Sequence, residues 1–174
     1  GILDKIRKYR ELNAPHGADF YDGLEEITLG MQSWIGRTAA ACREMAETEE
    51  NPQFRQNLLE MAEMNERLVN EPPKTFRDAV QWLTWYDMAA RMFNGSGSLG
   101  RLDVLLTPYY ERDTAAGILT DEEAKFHIAC SLLRDTGYMQ LGGPDFSGKD
   151  VTNKVSYLAL EAAHEMGIPA NVGI

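Results

Sequence analysis

Hydrophobic positions recur with a helical period along most of the chain. Ile2, Ile6, Tyr9 and Leu12 mark a first amphipathic stretch with basic residues between them, closed by Ala14-Pro15-His16-Gly17. Leu24, Ile27, Met31, Trp34, Ile35, Cys42 and Met45 then form the stripe of a long helix, with Asp19 as the expected N-cap and an end near Thr48. Gly30 and Gly36 lie inside it, at about 1 kcal/mol each against alanine, which predicts close packing on another backbone. Asn51-Pro52 restarts a helix, because Asn accepts from free amides and Pro suits the first turn; it runs to about Leu68. Glu71-Pro72-Pro73 breaks it. Thr75 with Asp78 three residues later is a capping box for a helix over 76–93, whose face is Phe76, Ala79, Val80, Leu83, Tyr86 and Ala90. Trp82 and Trp85 lie off that stripe and predict burial on more than one side.

The pattern breaks at Asn94-Gly95-Ser96-Gly97-Ser98-Leu99-Gly100, too rich in Gly and Ser for a helix or strand interior. These residues satisfy G-x-G-x-x-G, but that motif binds dinucleotides only after a strand and before a helix. Here a helical pattern leads in, which excludes the reading. Leu102 to Leu106 predicts a turn or two of helix, interrupted by Pro108, and Tyr109 to Ala116 a further helix ending at Gly117. Thr120-Asp121-Glu122-Glu123 is a second capping box and opens a helix to about Asp135. Tyr138 to Leu141 reads as a short strand closed by Gly142-Gly143-Pro144, and 152–166 as a last helix capped by Gly167. Residues 168–174 read as a second strand. The expected fold is mainly α, a single helical region over 1–174 with two short strands. Helix–strand alternation of this kind leads into a β/α barrel or parallel sheet, and two strands alone do not make a stable one.

Composition narrows the partners. Seventeen Lys and Arg against 27 Asp and Glu give a net charge of −10, which disfavours nucleic acid and anionic membranes. No apolar run approaches a membrane span and no signal-peptide pattern opens the chain. Two cysteines, Cys42 and Cys130, make no disulfide framework and fit a reducing cytoplasm. Gly1 in place of Met, with an end inside a predicted strand, suggests a piece of a longer protein.

Five motifs in order carry a resemblance: Phe20-Tyr21-Asp22-Gly23; Pro72-Pro73-Lys74-Thr75-Phe76 through Gln81; Ser98-Leu99-Gly100-Arg101-Leu102-Asp103 with Pro108-Tyr109-Tyr110-Glu111-Arg112-Asp113; Gly117-Ile118-Leu119-Thr120-Asp121-Glu122-Glu123-Ala124; and Gly142-Gly143 with Gly148-Lys149-Asp150-Val151-Thr152-Asn153 through Tyr157. Across 20–174 the chain resembles glycyl radical enzymes, the pyruvate formate-lyase superfamily. That resemblance implies a ten-stranded β/α barrel in which a thiyl cysteine and a glycyl radical meet on two loop tips. Neither loop is in this sequence, so the resemblance implies a helical section of the N-terminal half that is inactive alone. The intact enzyme would be an anaerobic, cytoplasmic lyase, dehydratase or formate acetyltransferase acting on a small molecule. Its glycyl radical would be installed by a radical-SAM activating enzyme; no cofactor belongs to this section, and a homodimer is possible.

By the same resemblance the pocket-lining residues are Gly95, Ser96, Gly97, Ser98, Arg101, Gly142 and Gly143. The loop is one residue short of the family pattern, and Val104 follows Asp103 where Gln is common, so the substrate does not carry over from any one member. The plainer reading of Gly95 to Gly100 is an interhelical loop, and of Arg101 and Asp103 a buried structural pair. Glu123, His127 and Cys130 share a helix face without a fourth ligand, so a partly buried His and core thiol are favoured over a metal site. Two rivals stand beside the enzyme section: a free-standing helical interaction module, and a nucleotide binder using Gly95 to Gly100.

Overall fold

A computed structural model describes residues 1–93, 98–134 and 137–174, apart from the side chains of Phe93 and Ser98. The chain forms two compact units, Gly1–Pro72 and Pro73–Ile174.

The first unit is helical: α1 (Ile2–Asn13), α2 (Ala18–Thr48) and α3 (Pro52–Leu68). Helices α2 and α3 lie antiparallel, tied by Arg43, whose Nε and Nη2 each donate to Glu66 at 2.6 Å, and by Gln32 Nε2 donating to the Val69 carbonyl at 2.8 Å. Asn51 caps α3 as the sequence predicts, its side-chain oxygen accepting from Gln53 N and Phe54 N. Two expectations fail. Gly17, at φ +71°, is the N-cap of α2 in place of Asp19, since a glycine there turns the chain without needing a side-chain acceptor. Gly30 and Gly36 meet no neighbouring backbone: a Cβ on Gly30 has open space, and one on Gly36 reaches only Val69 Cγ2 at 3.9 Å. The α2 stripe is also narrower than its hydrophobic pattern. Ile35, Ala39, Cys42 and Ala46 are buried, while Ile27 and Met45 are exposed.

The second unit holds α4 (Phe76–Phe93), β1 (Ser98–Arg101), α5 (Leu102–Ala115), α6 (Asp121–Arg134), β2 (Tyr138–Gln140), α7 (Lys154–Met166) and β3 (Val172–Gly173). Both capping boxes form. Asp78 N donates to Thr75 Oγ1 at 3.1 Å while Asp78 Oδ2 accepts from Thr75 N; Glu123 and Thr120 do the same at the head of α6. Trp85 and Asp87 are buried off the main α4 stripe, as the two tryptophans suggested.

Three strands make a parallel sheet in the order β1-β2-β3. β1 falls where the sequence reads as loop. Leu99 supplies the reason: it is 5% exposed in the core, and the irregular register between Ser98 and Gly100, with Gly100 at φ +61°, accommodates a strand too glycine-rich to announce itself. Helix α5 likewise runs unbroken through Pro108. The amide that proline lacks would have served the carbonyl of Val104, an exposed residue. Leu102 and Leu106 anchor the same helix in a core shared with Phe76, Ile128, Met139 and Leu158.

Along β2 burial alternates: Tyr138 and Gln140 are exposed and Met139 is 3% exposed. Among the described residues of β2, Met139 therefore faces the core and Tyr138 and Gln140 face away from it. Helix α4, not a strand, precedes the glycine run, as its sequence pattern predicts; Asn94 to Gly97 lie outside the described residues.

Candidate functional site

The C-terminal ends of β1 and β2 converge on one carboxylate. Asp103, the second residue of α5, is fully buried. Its Oδ2 accepts from Gly142 N at 2.6 Å and Ser156 Oγ at 2.8 Å, its Oδ1 from Val104 N at 2.8 Å, and Arg101 Nε lies 3.4 Å from Oδ1. Burial pushes this carboxyl up, but the donors from Gly142, Ser156 and Val104, with the Arg101 charge, outweigh it and hold it below the ordinary value. Asp103 thus joins β1, the turn after β2 and the head of α7. The same Ser156 completes the α7 capping box with Asn153.

The turn is fixed from its other side too. Gly142 has φ +59°, and a Cβ there would stand 2.5 Å from Thr152 Oγ1. Gly143 has φ +81° with open space beside it, and its carbonyl accepts from Val151 N at 3.0 Å. The tight turn expected at Gly142-Gly143 is therefore present.

Of the residues singled out in the sequence, Arg101, Gly142 and Gly143 come together at this end of the sheet. Ser98 opens β1 and pairs with Tyr138, its side chain lying outside the described residues. Gly95, Ser96 and Gly97 fall wholly outside them. Asp103 has the structural role that was its plainer reading. The sequence did not reveal that it holds Gly142 and Ser156, which are 39 and 53 residues away. A second buried carboxylate, Asp113, accepts from Phe76 N at 2.6 Å and pairs with Arg112, whose Nη2 also donates to the Lys74 carbonyl.

Other candidates are engaged elsewhere. Glu123 accepts from Thr120, and burial, ahead of the Arg77 charge, lowers His127. Cys42 lies in α2 and Cys130 in α6, both thiols pushed up by burial, so neither sits on a loop suited to thiyl chemistry. An apolar crevice between Leu83, Leu99, Leu106 and Ile128 has room for about one water molecule and is a packing gap, not a substrate site.

Comparison with known proteins places these features. The pyruvate formate lyase-like family model matches residues 1–171. An isethionate sulfite-lyase of Desulfovibrio desulfuricans is 31% identical over 170 residues, which is 84% of this chain and 20% of that protein. A trans-4-hydroxy-L-proline dehydratase of Clostridioides difficile is 26% identical over 200 residues, 95% of this chain and 25% of that protein. Among solved structures, a glycyl radical enzyme from Archaeoglobus fulgidus superposes with a TM-score of 0.85 at 26% identity, covering 98% of this chain and 26% of its own. The chain thus spans about a fifth to a quarter of the length of the relatives it matches. With the family model matched over nearly every residue and the fold shared with its solved members, the chain belongs to the pyruvate formate lyase-like family of glycyl radical enzymes.

Proposed function

We propose that these residues supply scaffold helices and one wall of the substrate pocket in a glycyl radical lyase or dehydratase, and that they are inactive alone. The observation that carries this is the superposition of 98% of the chain on a quarter of a glycyl radical enzyme, with the strand ends locked by Asp103. The pocket wall is formed by Gly95, Ser96, Gly97, Ser98, Arg101, Gly142 and Gly143. Small residues leave room for substrate, and backbone at a glycine turn approaches it closely. The thiyl cysteine and radical glycine belong to other parts of the enzyme, which fits two cysteines held within helices. A radical-SAM partner installs the radical, in an anaerobic cytoplasm.

Exposed apolar side chains favour this reading over a free-standing module. Val104, Leu105, Phe126 and Leu133 in the second unit, and Phe20, Ile27 and Phe54 in the first, present large hydrophobic surface that a self-contained domain would cover. The test is anaerobic activation of the full-length protein with its activase, followed by electron paramagnetic resonance. A glycyl radical doublet on a glycine outside residues 1–174 is expected. Its absence, or turnover by the 174-residue chain by itself, overturns the proposal.

A further inference from the structure

We draw no further inference here: the strongest candidate, the exposed stripe that Phe126, Cys130 and Leu133 form along helix α6, is an unpartnered apolar face, and nothing among the described residues shows what covers it.

Discussion

At the scale of single residues, Asp103 carries the most weight. Replacing it by Ala leaves Gly142 N and Ser156 Oγ without their buried acceptor, and we expect a loss of about 3–5 kcal/mol in chemical denaturation of the full-length protein. Its pH dependence has a definite sign. The folded carboxyl is held below its ordinary value of 3.8, so its stabilisation is fully present above that value and disappears as pH falls through the folded one. Asp103→Asn should therefore be less stable at neutral pH and show a shallower loss of stability below about pH 4 than wild type. An acid limb identical to wild type would remove Asp103 from this role. Tyr110 offers an alkaline counterpart. Burial, then its 2.6 Å hydrogen bond to Asp121, pushes it up to about 12, so its phenolate should appear after those of ordinary tyrosines. Asp121→Asn should bring that step to lower pH in a near-ultraviolet titration, and Tyr110→Phe should abolish it.

At the scale of elements, the glycine turn and the long helix make opposite predictions. Gly142→Ala meets both a left-handed φ and Thr152 Oγ1 at 2.5 Å, so it should cost about 2–3 kcal/mol; Gly143→Ala meets only the φ, about 1 kcal/mol. Pairing Gly142→Ala with Thr152→Ala should recover part of the difference, and a purely additive double variant would show that the contact is not the cause. In α2, Gly30→Ala should stabilise the helix by about 1 kcal/mol, since nothing lies near the new Cβ. These sites also show what was legible in the sequence. Helices with side-chain signals, such as Asn51-Pro52, Thr75 with Asp78 and Thr120 with Glu123, were readable because their causes lie within four residues. β1 was not, because its strand character comes from a partner 40 residues away in pairing Ser98 with Tyr138. The unbroken α5 was hidden in the same way: the core contacts of Leu102 and Leu106 override a proline whose local effect is to break helix. Burial of α2 was overread, since a stripe of seven apolar residues says which side is apolar but not how much of it finds a neighbour.

At the scale of the molecule, sequence and fold agree on the family, while the proposed pocket wall depends on parts that meet only in three dimensions. Arg101, Gly142 and Gly143 were identified by resemblance, yet the carboxylate that brings them together and the exposed row of Tyr138 and Gln140 required the sheet register. Gly95 to Gly97 stay a proposal drawn from the motif. Central to the proposed function is that the side of the sheet carrying Tyr138 and Gln140 forms one wall of the radical enzyme's pocket. A structure of the full-length protein with substrate bound tests it most directly. The account predicts Gln140 and Arg101 turned inward, facing the loops that carry the thiyl cysteine and radical glycine. A helix packed over Tyr138 and Gln140, or that face open to bulk solvent on the outside of the barrel, would contradict it.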